Sequence, residues 1–213
     1  MVVGLLFTGG LDSALLAEHY ARRGDRVIPI YVADGLRWER AELAAARRVL
    51  RSLGRSVEPL VVVPLDQRAL YRGGHWALRG RAPGRSARWD SIPLKGRNLL
   101  LLSCAAAYCL GRADRLAIGV SRHNPFADAK GPFLKALEKA LSAGYGGRLR
   151  IEAPFLTTDK SALLRAVERV RLDRTFSCIQ PVGLAHCGRC TKCAARGDAF
   201  AAAGVPDPTR YAR

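Results

Sequence analysis

Two stretches of the chain hold residue types whose spacing could do chemistry. Near the start, Thr8-Gly9-Gly10-Leu11-Asp12-Ser13 joins an apolar run, residues 2–7, to the helical pattern ALLAEHYARR. A glycine turn between a strand's carboxyl end and a helix builds an anion site. The glycines admit backbone N–H groups to phosphate oxygens, the hydroxyls of Thr8 and Ser13 add donors, and the helix dipole favours negative charge. The stretch has neither the lysine of G-x-x-x-x-G-K-[ST] nor the spacing of G-x-G-x-x-G, which excludes two nucleotide-binding motifs. Asp12 is an odd neighbour for phosphate unless Mg²⁺ or a backbone hydrogen bond engages it. A glycine turn in which Asp12 or Ser13 merely caps the helix is the plain structural alternative.

Near the end, Cys178 is followed by Cys187, Cys190 and Cys193, the last three at C-x-x-C-x-x-C spacing. Four thiolates at this density suit a tetrahedral Zn²⁺ whose positions are all filled by protein, a closed and therefore structural site. Iron–sulfur ligation uses the same spacing, two disulfides are a third arrangement that a reducing compartment disfavours, and His186 could replace one thiolate. Cys104 and Cys109 lie in an apolar helical stretch and read as small buried hydrophobes.

Both stretches need elements to hold them. Valine- and isoleucine-rich runs at 2–7, 26–31, 57–63, 115–120 and 149–153 alternate with helical periods at 11–23, 37–53, 96–112, 131–143 and 159–170. This predicts a doubly wound, Rossmann-like α/β fold, a parallel sheet covered by helices through right-handed crossovers. Asn124 and Asp128 fall in the loop after the strand at 115–120, where ligands gather at the carboxyl ends of open sheets. They are candidates for the substrate side or for Mg²⁺, with an ordinary Asn-Pro turn as the alternative. Between Leu70 and Ile92 the periodicity is lost in YRGGHWALRGRAPGRSARWDS, which reads as a mobile flap beside the site.

Composition sets the outer limits. A chain of 213 residues with 49% hydrophobic content holds one sizeable core and a small appendage. The opening MVVGLLFTGG lacks a basic lead-in and a small-residue cleavage site, and no apolar stretch approaches the roughly 20 residues that span a bilayer. A soluble, cytoplasmic protein without a membrane partner is expected. The net charge of +17 favours anionic partners such as nucleotides or RNA. Much of the arginine, however, is scattered over alanine-rich helices, as in RVLRSLGR, where it fits solvated faces. RNA is thus admissible but not the favoured partner.

TGGLDS resembles the S-G-G-x-D-S signature of PP-loop ATP pyrophosphatases, with threonine keeping the first hydroxyl. Taken with IPLKGRNLLLLSCAAAYC, PFLTTDKSALL and SCIQPVGLAHCGRCTKCAARGDAF, the chain resembles the 7-cyano-7-deazaguanine synthase family, also called QueC or ExsB, over almost its whole length. The resemblance implies an ATP-dependent carbon–nitrogen ligase. In that chemistry a carboxylate of 7-carboxy-7-deazaguanine is adenylated, ammonia displaces AMP, and a second ATP activates the amide for dehydration to a nitrile. Residue by residue it implies that Thr8, Gly9, Gly10, Leu11, Asp12 and Ser13 hold the phosphates of ATP and Mg²⁺. Lys95, Arg97 and Lys160 would supply positive charge and Asn98 would orient one of these groups. Residues 1–172 would form the nucleotide domain and 173–213 a zinc segment packed on it, in a homodimer.

Three segments depart from the family pattern, one of them PLKGRN by its spacing. YVADGLRWERAE stands where a tyrosine-glycine-glutamine segment is usual. SRHNPFADAKGPF replaces a glycine-tyrosine-proline-aspartate-cysteine run followed by proline-glutamate-phenylalanine. The alternatives are an amide-forming ligase of the same kind acting on another carboxylate, a tRNA-modifying PP-loop enzyme, and a binding module without catalysis.

Overall fold

The computed structural model describes residues 1–71, 74–87, 94 and 96–212. Five strands, β1 (Val2–Leu6), β2 (Arg26–Ala33), β3 (Val61–Pro64), β4 (Arg115–Ile118) and β5 (Arg150–Glu152), form one parallel sheet in the order β3-β2-β1-β4-β5. The apolar runs are continuous because the sheet is covered on both faces. Val3, Leu5 and Phe7 project into one layer and Leu6 into the other, as the two-residue period of a strand requires.

Helices α1 (Leu11–Arg22), α2 (Glu39–Leu50), α5 (Lys160–Arg165) and α6 (Thr191–Ala203) contribute to the first layer. Helices α3 (Arg97–Cys109) and α4 (Gly131–Tyr145) contribute to the second. Gly4 sets how closely α3 approaches β1, since a Cβ there would stand 2.3 Å from Cys109 Sγ. Among the described residues no helix is long and apolar enough to cross a membrane.

The strand order reverses at β1, whose neighbours are β2 on one side and β4 on the other. In open α/β sheets such a switch point leaves a crevice beyond the carboxyl ends of the strands. The loops after β1 and β4 therefore face each other across it.

The expected doubly wound layer is present, with differences at its edges. Residue 57 makes only an isolated bridge to Val27, so β3 begins at Val61, and α5 stops at Arg165 where residues to 170 were expected to be helical. Helix α6 was not foreseen; its polar first turn lies inside the cysteine spacing, which hides its period. The expected flap is partly docked. Over residues 74–87, Ala77 and Ala82 are buried against Trp38 and the cysteines, and the Arg37 guanidinium donates to the carbonyls of Trp76 and Gly80. Residues 72–73 and 88–93 lie outside the described set.

Candidate active site and metal centre

The loop after β1 is held by its own polar groups and by its glycines. Gly10 N–H donates to Thr8 Oγ1 (3.3 Å), the Ser13 hydroxyl donates to the Gly10 carbonyl (3.2 Å), and Thr8 N–H donates to Ser13 Oγ (3.3 Å). Gly9 has φ 74°, and a Cβ there would meet the Ala46 nitrogen at 2.5 Å, so the loop rests directly on the backbone of α2. Gly119, just past β4, is equally constrained, because a Cβ would meet the Asp12 carbonyl carbon at 2.8 Å. The loop turns into α1 with Gly10 as its N-cap, leaving the first-turn amides and the helix dipole at the crevice.

A cavity of about 1210 Å³ opens there. Thr8, Gly10, Leu11, Asp12 and Ser13 form its floor, Arg97, Asn98 and Lys160 line it further, and Asn124 and Asp128 come from the loop after β4. The sequence candidates that lie far apart along the chain thus share one space. Gly9 supports the loop from below, and Lys95 lies outside the described residues.

Lys160, at the start of α5, pairs with Asp12 at 2.8 Å, so the carboxylate beside the anion loop is answered by a cation. Asp12 Oδ1 is buried without a hydrogen-bond partner among the described residues. The Arg97 guanidinium forks onto Asp34 Oδ2 through Nη2 (2.6 Å) and Nε (3.0 Å), and Asp34 is fully buried. Its charge is therefore matched by a carboxylate within the wall of the cavity. Asn98 engages Asp128, not one of the cations: its amide group donates to Oδ1 and the carbonyl at 3.2 Å each, and its backbone N–H donates to Oδ2 at 3.1 Å. Asn124 Oδ1 accepts from Phe126 N–H, the local turn that its sequence allowed.

Arg97→Met is expected to destabilise the fold by about 3–5 kcal/mol, because it leaves Asp34 buried and unpaired. A urea unfolding series checks this. A midpoint shift worth under ~1 kcal/mol would show that Asp34 finds another partner.

Sequence reasoning missed Lys192 and Glu42, which also line the cavity. Lys192 lies between two cysteines in C-T-K-C, on the first turn of α6, with its ammonium 5.3 Å from the Phe126 ring centre. Burial, then the nearby Lys160 charge, brings its pKa down to about 8. The signal available was that a residue fixed between two ligands has little freedom of orientation. Glu42 had none, since an acidic residue in the first turn of a helix reads as ordinary dipole compensation.

The four thiols of Cys178, Cys187, Cys190 and Cys193 are buried, and their sulfurs all lie within 4.8 Å of one another. Cys178 and Cys190 stand 3.8 Å apart and Cys187 and Cys193 4.0 Å. A tetrahedron with metal–sulfur bonds of ~2.3 Å has edges of about 3.8 Å, so the sulfurs suit one ion. A multi-iron cluster spreads its thiolates over separate irons and needs a wider set. All six cysteines are free thiols, so the disulfide arrangement is absent. The hydrogen-bond contact with Cys178 lowers the Cys190 thiol's pKa, and backbone amides of Gln180, Cys187 and Cys190 donate to cysteine sulfurs. His186 is not among the four: its Nε2 accepts from Ser177 N–H, and burial keeps it neutral with a pKa of about 4.

The metal segment and the anion loop are mechanically joined. Phe176, packed among the cysteines, donates its N–H to the Gly9 carbonyl at 2.9 Å. Arg196 of α6 is buried and donates to Thr175 Oγ1 and the Leu172 carbonyl at 2.9 Å each, which ties the helix to the segment before Phe176.

Fold and site define a parallel α/β protein whose glycine loop lines a switch-point cavity, with a buried four-thiol knuckle packed beside it. The chain belongs to the QueC family: the model of the family described as "Queuosine biosynthesis protein QueC" matches residues 2–204. It is similar to the 7-cyano-7-deazaguanine synthase of Anaeromyxobacter dehalogenans, with 34% identity covering 98% of this chain and 95% of that one. The synthase of the same name from Anaeromyxobacter sp. is 35% identical over 97% of this chain and 94% of its own. Among solved structures, a U34-tRNA thiolase from Methanococcus maripaludis, NcsA with its [4Fe-4S] cluster, aligns with a TM-score of 0.49 and 15% identity over 77% of this chain and 55% of that one.

Proposed function

We propose that the chain is a 7-cyano-7-deazaguanine synthase, a carbon–nitrogen ligase that converts 7-carboxy-7-deazaguanine, ammonia and two ATP into the nitrile with release of AMP and pyrophosphate. The observation that carries this is the single cavity on which the glycine loop, Lys160, Lys192 and the Asn98–Asp128 pair converge, in a chain matched to the QueC family over residues 2–204.

The chemistry follows from the groups present. A carboxylate is a poor electrophile until its oxygen becomes a leaving group, so its attack on the α-phosphorus, expelling pyrophosphate, has to come first. The amides of the glycine loop and the hydroxyls of Thr8 and Ser13 hold the phosphates, and the charges of Lys160 and Lys192 oppose the charge that builds on pyrophosphate. Ammonia then adds to the acyl carbon and AMP departs, leaving an amide. A second ATP takes the amide oxygen as its AMP ester, and loss of that AMP gives the nitrile. Asp128, steadied by Asn98, faces the heterocycle as a hydrogen-bond acceptor. Mg²⁺ would sit on Asp12, whose buried Oδ1 lacks a partner, and would supply charge neutralisation of the phosphates. Zn²⁺ on the four thiolates would be structural, with no position left for substrate. Catalysis in the cytoplasm by a homodimer completes this reading.

The test is mass spectrometry of purified protein with Mg²⁺, ATP, ammonium and 7-carboxy-7-deazaguanine, following AMP and the heterocycle together. Nitrile with AMP is expected. AMP with amide alone would make the chain a diverged amide ligase, and absence of AMP would overturn the assignment.

A further inference from the structure

The cavity is lined by cations suited to phosphates, and ammonium is repelled by them. It also holds one corner of opposite character. Glu42 follows Trp38 by one turn of α2, and both side chains line the cavity together with Trp76, whose ring stacks on Trp38 with centres 5.8 Å apart. The groups facing Glu42 are the Tyr31 hydroxyl from β2, Asp34 just past β2, Glu39 on its own helix and Arg97 from α3. Arg97 is committed to Asp34, so the corner keeps net negative charge from Glu42 and Glu39. Tyr31 donates to Glu42 Oε2 at 3.1 Å, while Oε1 makes no hydrogen bond among the described residues. The other cavity carboxylates each have a partner on at least one oxygen: Asp12 with Lys160, Asp128 with Asn98, Asp159 with His123 and Asp198 with Arg85. The backbone of Ala46, one turn beyond Glu42, carries the glycine loop, so this corner adjoins the phosphate floor.

We infer that Glu42 is the catalytic residue that receives ammonium from solvent, against the Trp38–Trp76 wall, and removes its proton. This rests on the synthase reading above. An N–H bond of ammonium breaks, its proton passes to Glu42 Oε1, and the freed lone pair forms the bond to the acyl carbon of the adenylate. As the tetrahedral adduct collapses, the electrons of the C–O bond leave with AMP, and the second proton lost from nitrogen goes to AMP or to water. The half-buried Trp76 side chain and the Glu42 carboxylate are a fitting pair for a small cation, the Trp38 ring being already met by the Arg97 guanidinium at 5.9 Å, and burial raises the Glu42 pKa to about 7, the range in which a base works best at neutral pH.

Initial rates of amide formation with ammonium and with hydroxylamine, a nucleophile uncharged at neutral pH, test this between pH 6 and 9. In the native protein kcat/KM for total ammonium should rise to a plateau above about pH 7, where Glu42 is ionised. Glu42→Gln should lose on the order of 100-fold at pH 7 with ammonium. Its remaining rate should keep climbing with pH as free ammonia accumulates, while its use of hydroxylamine falls far less. Equal losses with both nucleophiles, or a native profile that follows free ammonia without a plateau, would overturn the role. ATP–pyrophosphate exchange driven by the carboxylate needs no ammonium. Its absence in the native protein would instead remove the synthase reading, and this role with it.

Discussion

Cys190→Ser is expected to leave a protein that holds less than one metal ion per chain and melts more than about 10 °C below the native form. A closed zinc–thiolate site contributes apparent binding energy of ~10–16 kcal/mol, and because the unfolded chain lacks the site, that energy is folding energy. Removing one of four ligands should forfeit on the order of 5 kcal/mol, and for a chain of this length each kcal/mol moves Tm by roughly 2–4 °C. The affected layer includes Phe176, whose N–H reaches the Gly9 carbonyl, so nucleotide affinity should fall with stability. Elemental analysis beside thermal unfolding checks the result. A variant with native Tm would sink the idea of a structural metal, and iron in place of zinc in the native protein would change the ion.

Gly9→Ala should cost at least 100-fold in kcat with a smaller loss of stability. A left-handed alanine costs about 1–2 kcal/mol. The heavier penalty is steric, because the new Cβ would lie 2.5 Å from the Ala46 nitrogen, a backbone atom that cannot rotate away. The loop must lift off α2, and a displacement near 1 Å at a positioning element is worth ~10²-fold in rate. Gly10→Ala is the useful control: its nearest contacts would be 3.3 Å, and its φ of −75° suits any residue. If Gly9→Ala retained native kcat, the loop would not be the element that aligns the phosphates.

How far the sequence carried depended on the kind of signal each residue offers. β1, the glycine loop and α1 were legible to within a residue, because an apolar run, two glycines and a helical period meet there without overlap. The four thiols were legible as one site because thiolates at that density have few other uses. Charge was less readable. Arg97 reads as a cation for phosphate, yet its fork is closed on Asp34, a partner 63 positions away that no local pattern indicates. Asn98 likewise meets Asp128 only through the packing of α3 beside the loop after β4. Residues 74–87 lack periodicity since they fold onto the cysteine knuckle through backbone groups, and such bonds leave no trace in side-chain pattern.

The hydrogen bond from Phe176 to Gly9 has a consequence for how the molecule is made. The loop at residues 8–13 is synthesised well before Phe176 and the cysteine knuckle on which Phe176 packs. Even β1 lacks one of its two strand partners until β4 has been made. Nascent chains should therefore gain ligand affinity abruptly once residues 176–193 have emerged, and chains stalled or clipped before Phe176 should bind no nucleotide however well their first strands have formed.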